Sequence, residues 1–104
     1  MGSDRRPSFQ FYPRDFLASE SVSLMSREDV GAYILLLCHC WAGEDCSLPE
    51  DKSALSTLSR GDGSSHDEAI ARLWPRFIAH PWLSHRITNE RLFEERKKQD
   101  EHGK

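Results

Sequence analysis

Between residues 26 and 43 the segment SREDVGAYILLLCHCWAG carries its apolar residues at a spacing that predicts a helix. Ser26 stands at the expected N-cap, Glu28 and Asp29 fall in the first turn where the helix dipole favours anions, and Gly43 marks the end. On a wheel of about 100° per residue, Val30, Tyr33, Ile34, Leu37 and Trp41 form one stripe, the expected core face. Leu35 and Leu36 lie off it. A second, short helix is expected within LPEDKSALSTLSR (48–60), opened by Pro49 and two acids, with Leu55 and Leu58 spaced for burial. GDGSS is a turn, and Ser65 with Glu68 three positions on has the form of a capping box for HDEAIARLWPRFIAH (66–80). Ile70, Leu73, Trp74 and Phe77 recur there at helical spacing, and Pro75 is expected to kink or split the helix. PWLSHRIT (81–88) alternates large residues around a polar centre and reads as a small hairpin. Asn89 then caps a last helix carrying Leu92 and Phe93, whose charged end is expected to fray.

This order predicts a mainly α fold with a small β-hairpin, winged-helix-like in its three-helix core, plus a C-terminal helix. Residues 1–8 are expected to be a disordered leader or tag remnant, 9–95 the domain, and 96–104 a charged, fraying helix end.

Composition narrows the class. The chain has 104 residues, enough for one domain, and 38% hydrophobic against 30% charged residues suits a globular fold rather than disorder. The longest nearly apolar run, GAYILLLC, is far shorter than the about 20 residues that span a bilayer, so no membrane partner is expected. Three clustered cysteines argue against a disulfide framework and fit a reducing cytoplasm. The formal net charge is −3, and residues 16–52 hold two basic against seven acidic groups. Bulk charge therefore does not by itself favour nucleic acid.

The segment LLLCHCWAGEDC gathers every cysteine and one histidine within a dozen positions. Helical phase separates them: Cys38 and Cys40 fall on opposite flanks and His39 points away from the core, so they do not converge on one ion. The cysteines read as small apolar fillers, with Cys46 in the following loop, exposed, and a reactive-thiol role for it unsupported. No metal or other cofactor is expected. Glycine-rich phosphate loops, Gly-x-Ser-x-Gly elbows and His-Glu-x-x-His pairs are absent from the sequence. The adjacent acid pairs sit at expected helix ends, where dipole compensation explains them. The expectation is a protein that is not an enzyme and has no small-molecule substrate.

The outer face of the third helix carries Arg72 and Arg76 one turn apart. They read either as an ordinary solvated face or as contacts to phosphates and guanine edges. The motifs YPRDF (12–16), LMSREDVGAYILLL (24–37), LP (48–49) and NERLFEE (89–95) resemble the YdaU-like family of prophage-associated proteins, a domain of unknown function. SRGDGSSH and HPWLSHRI depart from the family's pattern. The resemblance implies a winged-helix-like domain of phage or prophage proteins related to DNA replication initiators, and it supplies no catalytic residues. Two functions are expected from this point. One is a DNA-binding winged-helix module using Arg72, Arg76 and Arg86, with Lys97 and Lys98 assisting electrostatically. The alternative is a protein-interaction or self-association module, such as a homodimer, using Leu35 and Leu36.

Overall fold

Ser26 accepts a hydrogen bond from the Asp29 N–H at 3.1 Å through its hydroxyl, and this cap opens the longest helix of the protein. The computed structural model describes residues 8–61 and 64–102. Its elements are α1 (Pro13–Ala18), α2 (Glu20–Ser23), α3 (Arg27–Ala42), β1 (Leu48–Pro49), α4 (Lys52–Leu58), α5 (Ser64–Leu73), a 3-10 turn (Trp74–Arg76), β2 (Ile78–Ala79), β3 (Arg86–Thr88) and α6 (Glu90–His102). The fold is mainly helical with one small antiparallel sheet of order β1-β3-β2. Among the described residues no helix is long and apolar enough to cross a membrane.

The boundaries of α3 match the pattern in the sequence, and its inward face matches in part: Leu37 and Trp41 are buried as expected. Asp29, Ala32, Leu36, Leu37, Cys40 and Trp41 are buried, whereas Val30, Tyr33 and Ile34 are half-buried. The expected stripe is therefore turned toward Leu36, which has no exposure at all. The cause lies in YILLL, where five consecutive apolar residues offer no polar position to set the phase. Leu36 joins Leu55, Ile70, Leu73 and Leu92 in a core shared by α3, α4, α5 and α6.

Pro75 splits the third helical segment as expected, and the consequences reach further. α5 ends at Leu73, the 3-10 turn follows, and Phe77 is already extended. A proline inside a helix removes a hydrogen bond and crowds the preceding turn. Ile78 and Ala79, expected in the helix, instead pair with Thr88 and Ile87. The hairpin thus starts three residues earlier than its alternating segment suggests. Its second strand also pairs outward with β1, Leu48 opposite Ile87 and Pro49 opposite Arg86. Pro49, which donates nothing to a ladder, sits in an edge strand, and α4 starts only at Lys52, with Asp51 accepting from the Ser53 N–H at 3.0 Å. The proposed Ser65 cap falls on a side chain outside the described residues, as do residues 1–7 of the expected leader.

α4 closes with two backbone bonds, Arg60 N–H to Thr57 at 3.0 Å and Gly61 N–H to Ser56 at 2.8 Å. Arg60 holds a φ of 65°, a position usually given to glycine in this helix ending. Asn89 caps α6, accepting from the Leu92 N–H at 3.2 Å. The N-terminal arm, with no helix expected before residue 26, forms α1 and α2: Pro13 opens α1 and Ser19 caps α2. Ahead of them Phe9 packs its ring 5.5 Å from Trp41, and Ser8 accepts from Gln99 at 3.2 Å, strapping the arm to α6.

Candidate nucleic-acid interface

Arg72 leaves α5 on its exposed side and turns toward α3. Its Nε and Nη2 donate to the two carboxylate oxygens of Asp29 at 2.8 and 2.9 Å, a bidentate pair with Asp29 buried and the Arg72 side chain 53% exposed. The Arg72 guanidinium holds the Asp29 carboxyl below its ordinary value of 3.8, through its hydrogen bonds first and its charge second, against the opposing effect of burial. A depressed carboxylate contributes stability that is complete above the unfolded value and is lost as pH falls through the folded one. Arg72→Ala is therefore expected to melt below the wild type at neutral pH, with the gap closing below about pH 4 as Asp29 protonates. Thermal melts of both proteins across that range check it, and a gap independent of pH rejects the pair as its source.

The remaining expected contacts stand on separate elements. Arg76, in the 3-10 turn, lies over the Tyr33 ring at 5.9 Å and is half-buried. Arg86 on β3 donates from Nε to the Ser47 hydroxyl at 2.9 Å and from Nη2 to the Ser47 carbonyl at 3.3 Å. Lys97 lies over Phe93 at 5.8 Å, and Lys98 is exposed further along α6. Beside Arg72, the open face of α5 shows Asp67, Glu68 and Ala71. Of the residues expected to serve interaction, Leu36 is buried and Leu35 half-buried. That removes Leu36 from any surface.

A cavity of about 260 Å³ opens between the N-terminal arm, α3 and the start of α6. Its lining includes Arg76 and Arg91 together with the rings of Phe11, Tyr12, Phe16 and Tyr33. Guanidinium groups beside aromatic faces suit a planar or anionic group. Arg91 was not among the expected contacts; its spacing to Glu95, with which it pairs at 3.7 Å, makes it look like ordinary helix surface.

Two further clusters join residues that local spacing keeps apart. Ser59 Oγ lies 2.8 Å from His66 Nε2, and His66 Nδ1 lies 3.3 Å from Glu28 Oε2. The order resembles a nucleophile, base and carboxylate, but the Ser59 hydroxyl donates to the Leu55 carbonyl at 2.7 Å, and both Ser59 and His66 are buried. Gly61 permits this packing, since a Cβ there would stand 1.7 Å from the imidazole. The ring ties the end of α4 to α3 and α5. The second cluster is Cys40 and Cys46, whose sulfurs lie 3.9 Å apart. Cys46 is fully buried, contrary to the expectation of an exposed loop thiol, because the turn after α3 folds back against Cys40 and Thr88. The Cys46 hydrogen bond, with further help from the Asn89 backbone and the charge of Arg96, draws the Cys40 thiol down to about 7 against burial, while Cys46 is pushed up by its bond to Cys40 and by burial. Cys38 and His39 are exposed, so they share no site with Cys40. Among the described residues no group of three or more histidine, cysteine, aspartate and glutamate side chains is placed to hold a metal ion. No family model matches the chain, and no curated protein or solved structure matches it at a significant level.

Proposed function

We propose that this chain is a DNA-binding winged-helix module of phage or prophage origin, linked to replication initiation and acting without catalysis. The observation that carries this reading is the element order from α3 to β3. Helix, short strand, two helices and a hairpin follow one another, and the short strand adds to the outer edge of the second hairpin strand. In a winged helix, that arrangement offers the third core helix to the major groove and the hairpin to the flanking backbone. Here those elements are α5, bearing Arg72, and β2 with β3, bearing Arg86. Asp29 engages only two of the Arg72 nitrogens, and the remaining N–H donors of the guanidinium suit a phosphate. The replication link rests on the family resemblance alone.

Fluorescence anisotropy of labelled duplex and single-stranded DNA tests the proposal. Binding is expected at low salt, with log K falling against log salt by about 0.9 for each phosphate engaged on duplex DNA. The double variant Arg72→Ala/Arg76→Ala, checked for folding by circular dichroism, should bind more weakly with a shallower slope. No measurable binding at low salt overturns the proposal. A self-association reading is favoured by a different observation from the one expected. Leu17 and Leu24 on the N-terminal arm are 74% and 80% exposed. Light scattering that finds a monomer at high concentration removes it.

A further inference from the structure

Cys40 sits on the inner face of α3 and Cys46 in the turn that follows, yet both are fully buried and their sulfurs are 3.9 Å apart. The turn that joins them is unusual. Gly43 leaves room for the Ser47 carbonyl, which a Cβ would meet at 2.2 Å. Asp45 and Cys46 hold φ values of 48° and 58°, a left-handed conformation unfavourable for L side chains. Surrounding contacts hold it there: Thr88 donates to the Cys46 carbonyl, Arg96 to the Gly43 carbonyl at 3.4 Å, and the His80 Nε2 bonds the Asp45 carbonyl at 2.9 Å.

We propose that Cys40 and Cys46 form a thiol modification site, an oxidisable pair that closes into an intramolecular disulfide under a peroxide and shifts the turn supporting the hairpin. Both thiols lie within the apolar core, where burial by itself raises a thiol's pKa. Cys40 also meets the Thr88 hydroxyl at 3.6 Å and the Cys46 thiol, and its own pKa is drawn down to about 7. With hydrogen peroxide as oxidant, the Cys40 thiolate attacks one peroxide oxygen, the O–O bond breaks, and hydroxide leaves. The resulting sulfenic acid has lost two electrons to the peroxide. Cys46 sulfur then attacks the Cys40 sulfur, the S–S bond forms, and the S–O bond breaks. The Cys46 proton leaves with the departing hydroxide as water. In sum two thiols and one peroxide become one disulfide and two waters.

Closure must bring the sulfurs to about 2.05 Å. Cys40 is held in a core-packed helix, so the turn takes up the movement. The first element to feel it is the hairpin, because Asp45 also accepts from the Trp82 indole N–H at 3.2 Å. Trp82 is 61% exposed at the hairpin's end and packs against His80 at 4.8 Å. In a reducing compartment such a disulfide is transient and thus suited to signalling oxidation. The proposal does not depend on DNA binding.

The test uses Cys38→Ser, which removes the exposed thiol and leaves the pair, alongside the wild type. After treatment with hydrogen peroxide and quenching, thiols are counted in denaturant and the protein is mapped by mass spectrometry. The expected result is loss of both variant thiols together, a mass lower by two hydrogens, a Cys40–Cys46 linked peptide, and recovery with dithiothreitol. Tryptophan emission should change on oxidation and change less in Trp82→Phe. Persistence of both thiols, overoxidation of Cys40 with Cys46 untouched, or a disulfide between chains overturns the pairing. A linked pair with unaltered emission overturns the coupling to the hairpin.

Discussion

Replacing Leu36 with alanine is expected to lower the unfolding free energy by about 3 kcal/mol, a fall on the order of 15 °C in melting temperature for a domain of this size. Leu36 has no solvent exposure and belongs to the core that joins α3 to α4, α5 and α6. Truncation there leaves a cavity that four elements would have to move to fill. Ile34 lies on the stripe expected from helical phase, but it is half-buried. Ile34→Ala should therefore cost much less, about 1 kcal/mol, because little area changes its exposure to water. Urea denaturation of the two variants decides between the faces. Equal losses, or a larger loss at Ile34, would contradict the burial described above.

Arg96→Ala is expected to cost about 2 kcal/mol by the same measurement. The side chain is only 9% exposed, although it lies in the segment expected to fray. Its Nη1 donates to the Trp41 carbonyl at 2.6 Å and to the Gly43 carbonyl at 3.4 Å, and its guanidinium lies over the Trp41 ring at 5.6 Å. The last carbonyls of a helix have no partner within it, and a cation there also meets the negative end of the helix dipole. Arg96 supplies both across 55 residues of sequence. Arg96→Lys should recover only part of the loss, since a lysine has neither the planar fork nor the stacking face. A loss below about 0.5 kcal/mol, the usual range for a surface change, would show that the contact adds nothing to the fold.

The caps and breaks were legible because each acts within one turn of chain. Ser26 and Asn89 needed only the neighbouring N–H groups, and Pro75 needed only its own ring. The hairpin was legible in part: its alternating residues gave it away, while the start of β2 was hidden in a run that also satisfies helical spacing. The N-terminal helices α1 and α2 carry recognisable signals, Pro13 and Ser19, but are too short to hold as isolated helices; the arm that carries them packs Phe9 against Trp41 and Phe11 against Phe16. Arg72 was legible as an outward residue of its helix. Its partner was not, since Asp29 lies 43 positions earlier and reads on its own as an ordinary first-turn acid.

The sequence by itself therefore determined both ends of α3, the cap of α6, the break at Pro75, that a hairpin follows α5, and that Cys38, His39 and Cys40 diverge. These are consequences of backbone geometry over a few residues. Only the tertiary structure decided which face of α3 is buried, that β1 joins the hairpin, that Cys46 returns to Cys40, and that Arg96 closes α3. Each of these depends on how separate elements pack against one another, and a chain with five adjacent apolar positions leaves that packing, rather than local periodicity, to choose the phase.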